Sequence, residues 1–435
     1  MESKKELILL RITGEDRPGL TASFMEILAR YDADVMDIGQ ADIHNTLSLG
    51  IMIYVDEANS GQVMKHVLFK ASELGVTVHV APVSEEEYNA WVGRQGKNRS
   101  ILTVLGRRLE ARLIEAVTKI IANQGLNLDS IRRLTGRPPL HEDKDSAKAA
   151  GKQEESKLAS TPEREQARTK SKACIEFSVR GTPNDKAQLH EQLMRLSSEM
   201  EVDFSYQRDD MYRRMRRLIC FDMDSTLIQT ECIDELAERN GVGKEVRAIT
   251  ESAMRGEIDF KESFTRRVAL LKGLDVSVMQ DIAEHLPMTE GVERLMMVLK
   301  RYGYKIALLS GGFTFFGEYL QKKLGIDYVY ANELEIGEDG KLTGRYVGEI
   351  VDGHRKAELL KLIAQVEKVN LAQTIAVGDG ANDLPMISEA GLGIAFHAKP
   401  RVVANAKQSI NTIGLDGVLY FLGFKDSYLG EQGKM

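Results

Sequence analysis

The order of apolar and polar runs divides the chain into three regions. In the first, ELILLRITGED reads as a strand and PGLTASFMEILARYDADV as an amphipathic helix. Pro18 falls where a helix would start, which suits its fixed φ and missing donor. Strand-like stretches follow at about Met36–His44 and Leu47–Val55, then a helix in GQVMKHVLFKASELG and a closing strand in VTVHVAPV. The order is βαββαβ, an α+β unit of the split βαβ type, over residues 1–95.

The same order returns over about 96–210: strand ILTVLGRR, helix EARLIEAVTKIIANQG, strand LDSIRRLTG, then KACIEFSVRG, DKAQLHEQLMRLSSEM and VDFSYQRDD. The copy is interrupted from about 138 to 171. That stretch is dense in charges of both signs and has no aromatic residue, so it buries too little apolar surface to offset ordering entropy. It is expected to be a disordered insertion. The arginines at 213, 214, 216 and 217 read as a solvated linker into the third region.

From about residue 211 to 435, short apolar runs alternate with helical segments, the pattern of a parallel α/β sheet. Three runs share one design. RLICF is followed by Asp222-Met223-Asp224-Ser225-Thr226, KIALL by Ser310-Gly311-Gly312, and TIAVG by Asp379-Gly380-Ala381-Asn382-Asp383. Each reads as a buried strand with polar or Gly residues just past its carboxyl end, the edge where open parallel sheets bind ligands. The stretches ANELEIGE and KLTGRYVGEI flank Asp339-Gly340 and predict a β-hairpin.

Charge and cysteine content exclude several classes. A net charge of −7 makes general nucleic-acid or anionic-membrane binding a poor fit. Three cysteines with no Cys-x-x-Cys pair support neither a disulfide framework nor a structural zinc site. No segment approaches the roughly 18 apolar residues of a membrane span. The first residues are charged and their apolar run is too short for a signal peptide, so the chain reads as cytoplasmic.

The residue types at the three strand ends suggest phosphoryl chemistry. Asp222, Asp224 and Asp379 are hard oxygen donors in one expected cluster, which repels itself unless a cation sits within it. Mg²⁺, one per site, suits a few carboxylates plus waters and phosphate. A carboxylate can attack phosphorus, and a second carboxyl group must protonate the leaving alkoxide and later deprotonate water. Ser310, the amides after it and Lys356 can hold the phosphoryl oxygens.

These motifs, in this order, resemble the haloacid dehalogenase-like hydrolase superfamily. Its Asp-x-Asp-x-Thr motif matches residues 222–226, its strand-ending Ser matches Ser310, its Lys matches Lys356, and its Gly-Asp-x-x-x-Asp motif matches Gly378–Asp383. The resemblance implies a Rossmann-like parallel-sheet domain, Asp222 as nucleophile and Asp224 as acid/base. It implies Mg²⁺ held by Asp222, Asp379 and the Asp224 carbonyl, with Asp383 orienting Lys356 or a metal-bound water. Over residues 217–425 the chain is similar to the branch of that superfamily that hydrolyses phosphoserine. Glu231 and Arg267 match its substrate-selecting positions, Gly311 its phosphate side, Asn382 a phosphate- or substrate-side contact, and about 230–286 would be a helical cap. A selective pocket for phosphoserine needs one anion for the ammonium and one cation for the carboxylate. His354 is expected to be structural, and Phe260 and Met254 could line the pocket or pack in the core. Other small phospho-metabolites such as phosphohomoserine, or a non-catalytic amino-acid sensor, remain alternatives.

Residues 1–95 resemble an ACT domain on TGEDRPGLTASFMEILA and the element order, and 96–210 resemble a degenerate copy without the Asp-Arg-Pro-Gly loop. That family commonly binds amino acids, with the Asp16–Gly19 loop near the ligand and the subunit interface, so the modules are expected either to bind an effector, L-serine, or only to join two chains as a homodimer.

Overall fold

The computed structural model describes residues 4–95, 98–136 and 171–429. The insertion expected at about 138–171 lies outside the described residues apart from Ser171. The chain forms two compact units, residues 1–97 and 98–435. Among the described residues, no helix is long and apolar enough to cross a membrane.

The first unit is an α+β ferredoxin-like fold. Strands β1 (Lys5–Glu15), β2 (Asp34–Ile43), β3 (Thr46–Asp56) and β4 (Thr77–Val83) form an antiparallel sheet in the order β2-β3-β1-β4. Alternate residues Ile8, Leu10 and Ile12 of β1, and Leu49, Ile51 and Ile53 of β3, are buried with Phe24, Ile27 and Val67 of the two helices. That alternation is what a sheet covered on one face requires. The first helix begins at Leu20, so Pro18 lies in the preceding turn, and Gly19 caps the helix at φ 87°, a conformation open to Gly without strain. A further helix, Glu85–Gln95, was not anticipated because it has no apolar stripe. Its start is nonetheless written in Ser84-Glu85-Glu86-Glu87: the Glu87 carboxylate accepts from the Ser84 N–H and the Ser84 hydroxyl accepts from the Glu87 N–H.

The second unit holds two sheets. Strands β5 (Arg99–Gly106), β6 (Asn127–Arg133), β7 (Ala173–Arg180) and β8 (Val202–Arg208) repeat the antiparallel arrangement in the order β6-β7-β5-β8. The other sheet has seven strands: β9 (Leu218–Phe221), β10 (Lys305–Phe313), β11 (Tyr328–Ile336), β12 (Leu342–Val347), β13 (Thr374–Gly378), β14 (Leu392–Phe396) and β15 (Gln408–Ile410). Its order is β12-β11-β10-β9-β13-β14-β15, parallel except for the β11–β12 hairpin. All residues of β9 and β13 are buried, as strands sandwiched between helical layers must be. The chain leaves β9 toward β10 and later returns to β13 on the other side. The crevice at the carboxyl end of β9 is therefore the topological switch point.

Four helices, Cys232–Arg239, Gly243–Met254, Phe260–Ala269 and Val276–Glu284, are inserted between β9 and the helix Val292–Arg301. The insertion leaves and rejoins the sheet through an antiparallel bridge between Ile228 and Met288. Its far side rests on the β11–β12 hairpin, where Gly273 N–H donates to Leu342 O at 2.8 Å and Leu342 N–H to Leu274 O at 2.9 Å.

The arginines before β9 correct one expectation. Arg213 and Arg216 are buried rather than solvated. Arg213 pairs with Glu176 at 2.7 Å, and Arg216 donates to Gln207 Oε1 at 2.9 Å. The segment is cemented to the antiparallel sheet beside it. Asp203 on β8 makes a second such tie: its carboxylate accepts from Asn411 N–H at 2.7 Å, Thr412 N–H at 3.1 Å and the Thr412 hydroxyl at 2.5 Å. Burial pushes this carboxyl up to about 6, and those three donors oppose the rise. Asp203→Ala leaves the three donors without their acceptor and should cost about 2 kcal/mol of stability, read as a lower urea midpoint.

Candidate active site

Asp222 follows β9 directly, and its N–H still donates to Val377 O of β13 at 3.0 Å. The chain then turns tightly: the N–H groups of Thr226, Leu227 and Ile228 all converge on the Met223 carbonyl. Ser225 takes up the turn in the left-handed region at φ 56°, which for a non-Gly residue is stored strain at a place where direction matters. The result faces Asp222 and Asp224 into one crevice. Asp222 Oδ1 accepts from Met223 N–H at 2.7 Å, and Asp224 Oδ1 accepts from Cys232 N–H at 3.2 Å.

Lys356 enters from the helix Gly353–Val366, whose first turn is capped by the Asp352 side chain accepting from Arg355 N–H. Its side chain is fully buried, with Nζ 2.9 Å from Asp222 Oδ1 and 2.7 Å from Asp383 Oδ1. Burial alone would depress this ammonium, but Asp222 and Asp383 outweigh it and hold Lys356 above the ordinary lysine range. Asp383 is held in turn, its Oδ2 accepting from Gly380 N–H at 2.9 Å. Thr226 Oγ1 donates to Asp379 Oδ1 at 3.3 Å. Carboxylate oxygens of Asp222, Asp379 and Asp383 lie within 4.8 Å of one another.

Ser310 is buried on β10, and its hydroxyl accepts from Gly312 N–H at 2.9 Å. That bond leaves the hydroxyl proton free to donate. A side chain at Gly312 would meet Asp224 Oδ2 at 2.6 Å and Ser310 Oγ at 3.2 Å, so the backbone must be bare there for the two groups to approach. Gly311 lies under the Phe260 ring, whose Cζ is 3.2 Å from where a Cβ would stand. Phe260 is therefore at the crevice, whereas Met254 is exposed. Sequence reasoning missed Asn332. Its buried amide donates to Gly311 O at 2.8 Å and to Gly312 O at 3.3 Å, and its oxygen accepts from Val351 N–H at 2.8 Å. A polar residue within the apolar run of β11 was the available signal.

Glu231 and Arg267 come from the helical insertion. Glu231 precedes the helix Cys232–Arg239 and accepts from the Ser225 hydroxyl at 2.8 Å. The surrounding protein raises its carboxyl, an effect the Ser225 bond opposes and Asp222 adds to. Arg267 is half-buried on the helix Phe260–Ala269, with Nε donating to Ser263 O at 3.4 Å. Burial lowers it, while Asp234, Glu231 and Asp224 act to keep it charged. Its guanidinium forms no ion pair with a carboxylate among the described residues. Asn382 lies half-buried in the single 3₁₀ turn Ala381–Asp383, its side chain beside Gly380. His354 is exposed.

Comparison with known proteins agrees with this geometry. The model for haloacid dehalogenase-like hydrolases matches residues 219–388, and the ACT domain model matches residues 6–81. A phosphoserine phosphatase of Streptomyces coelicolor is 38% identical over 422 residues, 96% of this chain and 92% of that one. One of Mycobacterium tuberculosis is 37% identical over 421 residues, 96% of this chain and 93% of its own. A solved structure of a probable phosphoserine phosphatase from Vibrio cholerae, unliganded, superposes with a TM-score of 0.54 at 32% identity, covering 77% of this chain and 89% of that one. Strand-end carboxylates, a buried lysine and these matches together define a haloacid dehalogenase-like hydrolase that carries an ACT domain. Within that class the chain belongs to the phosphoserine phosphatase family.

The electrostatics give a test. Burial first, then Asp383 and Asp222, push the Asp379 carboxyl up to about 8, and burial, Glu231 and Asp222 raise Asp224 well above its ordinary range. A carboxyl that holds its proton more tightly folded than unfolded stabilises the fold below the unfolded value of about 3.9, and that contribution is lost as pH rises through about 8. In EDTA, the thermal midpoint of the wild type should therefore fall more steeply than that of Asp379→Asn between about pH 5 and 8.

Proposed function

We propose that the chain hydrolyses O-phospho-L-serine to L-serine and phosphate, the last step of serine synthesis, through a phosphoryl group carried on Asp222. The observation that carries the reading is the convergence of Asp222, Asp383 and Lys356 within 3 Å contacts at the switch point, with Glu231 and Arg267 reaching the same crevice from the insertion.

In this reading the Lys356 ammonium and the Met223 N–H hold one oxygen of Asp222, fixing the carboxylate for attack on phosphorus. Ser310 donates its free proton to a phosphoryl oxygen, and Gly311 contributes backbone at the same oxygens. Asn332 keeps that loop in shape. Asp224, whose carboxyl is raised by burial and by the neighbouring Glu231 and Asp222, gives its proton to the departing serine oxygen. Once ionised, it takes a proton from the water that releases phosphate. Glu231 receives the substrate ammonium and Arg267 its carboxylate. Asn382 serves as a phosphate- or substrate-side contact.

The donor set fits a hard divalent cation. Four buried or half-buried carboxyl groups, Asp222, Asp224, Asp379 and Asp383, lie together with one ammonium, which meets Asp222 and Asp383, and burial first, then Asp383 and Asp222, raise the Asp379 carboxyl. Asp222, Asp379 and the Asp224 carbonyl would hold Mg²⁺, with Asp383 close enough to orient Lys356 or a water. A Mg²⁺ held there would supply positive charge near the transferring phosphoryl group.

Phosphate release over a panel of small phosphomonoesters tests the reading. Phosphoserine should be the preferred substrate over phosphohomoserine and over analogues lacking the amino or carboxyl group. Asp222→Asn should lower turnover at least about 10³-fold, and EDTA should abolish it reversibly. Glu231→Gln and Arg267→Ala should each cost roughly 10²-fold in kcat/KM for phosphoserine while sparing p-nitrophenyl phosphate. Equal turnover of the amino-less analogue would refute the assignment of Glu231.

The first unit is the place for an effector. Arg17 donates to Leu74 O at 2.7 Å, and Asp16 N–H to Asn45 O at 2.8 Å, so the Asp16–Gly19 loop is held at the start of the first helix. L-serine bound there would lower activity as product accumulates. Calorimetry on the full chain should show serine binding that Asp16→Ala removes. No heat of binding in the wild type would sink the idea.

A further inference from the structure

The helical insertion rejoins the sheet domain at a point gripped by the second antiparallel module. At the crossing, Gln229 N–H donates to Pro287 O at 2.8 Å and Thr289 N–H to Leu227 O at 3.0 Å. Leu227 directly follows Thr226, whose hydroxyl holds Asp379. The next residue on the return strand, Glu290, is held on two sides. Its carbonyl accepts from Leu415 N–H at 2.7 Å. Its carboxylate meets Arg107, just past β5, through NH1 at 3.3 Å and NH2 at 3.0 Å. The same guanidinium donates from Nε to Thr412 O at 3.0 Å, on the loop that Asp203 of β8 pins. Beside it, fully buried Asp416 is paired with Lys172 Nζ at 2.5 Å and Arg294 at 2.7 Å. Asp416 also packs against Gly291, which is at φ 82° and has no room for a side chain.

This arrangement is a bracket. Arg107 and Lys172 belong to the module of β5–β8; Glu290, Arg294 and the 411–416 loop belong to the sheet domain. The bracket closes on the residue where the insertion ends, rather than on the helices of the insertion. A bidentate guanidinium fixes direction as well as distance, so Arg107 sets the angle at which the return strand leaves Glu290. Glu290 responds, its carboxyl held below the usual range first by the Arg107 hydrogen bond.

We propose that Arg107 is a positioning residue for the reaction: by clamping Glu290 it fixes the hinge of the helical insertion, so that Glu231 and Arg267 close over the substrate in register. The second module, which lacks the Asp-Arg-Pro-Gly loop of the first, thereby serves as the fixed anchor of that hinge. The kinetic part of this inference rests on the phosphoserine reading above; the hinge part does not.

The test uses the full chain and three variants: Arg107→Ala, Arg107→Lys and Glu290→Gln. Hydrogen exchange should quicken about three- to fivefold at the amides of 226–231 and 286–292 in Arg107→Ala, with β10 and β13 unchanged. KM for phosphoserine should rise by a similar factor with kcat within about twofold, p-nitrophenyl phosphate should be hardly affected, and Arg107→Lys should recover part of the loss. Glu290→Gln should reproduce the phenotype and decides the matter if Arg107→Ala fails to fold. Wild-type exchange at both hinge segments in a folded variant would overturn the proposal, even if its thermal midpoint had dropped. Should the wild type not turn over phosphoserine at all, the functional reading fails while the exchange measurement still decides the hinge.

Discussion

Like-charge repulsion at the carboxyl end of β9 is the constraint around which the sheet domain is organised. Asp222, Asp224, Asp379 and Asp383 are brought together where water is scarce and where their mutual repulsion is little screened. One buried ammonium, Lys356, meets two of them directly and leaves the other two hydrogen-bonded by Cys232 and Thr226. A fold at rest would disperse such a cluster. Here the strands themselves prevent it, because β9 and β13 are paired in register and buried along their full length, and the aspartates stand just past their ends. The destabilisation is local and the cohesion that opposes it is spread over the whole core. That is the usual balance at sites built for chemistry rather than stability.

The same separation recurs in how the site divides its work. Groups that would act on phosphorus come from the sheet: the turn after β9, the end of β10, the turn after β13, and the helix Gly353–Val366. Their positions are fixed by backbone pairing and by Asn332, which ties the Ser310 loop to Val351. Groups that would read the rest of the substrate come from the helical insertion, which is joined to the sheet by one narrow crossing and rests on the hairpin. Rigid elements can hold reacting atoms to within fractions of an ångström, while a hinged layer can open for entry and then exclude water. Ser225 links the two halves. Its strained backbone belongs to the turn after β9, and its hydroxyl holds Glu231.

One βαββαβ plan is used twice in the chain, with different polar chemistry. The first copy keeps a Gly-containing loop at the start of its first helix. The second has charged ties to the sheet domain instead, through Arg107, Lys172, Glu176 and Asp203. Since most of the core of such a module is satisfied by alternating apolar residues, its surface positions are free to take on either task.

Patterning alone was sufficient for much of this architecture. Period-two and helical runs located the elements of both antiparallel modules, and unbroken apolar runs marked β9, β10 and β13, because a strand buried on both faces has no polar position to offer. Asp222, Ser310 and Asp379 were legible for the same reason: each sits immediately after such a run, where chain direction dictates which edge it occupies, whereas Lys356, Glu231 and Arg267 lie on or at the start of helices and carry no such mark. The helix Glu85–Gln95 escaped notice because its stability comes from a cap rather than a stripe. The burial of Arg213 and Arg216, the role of Asn332 and the Arg107–Glu290 clamp could be read only from the folded chain. Each depends on a partner far away in sequence, at Glu176, Gln207, Gly311 or Glu290, and a charged or amide side chain carries no local mark that says which distant group will meet it. Sequence determined which residues could face the crevice; tertiary packing decided which charges would be neutralised there and what holds the crevice in shape.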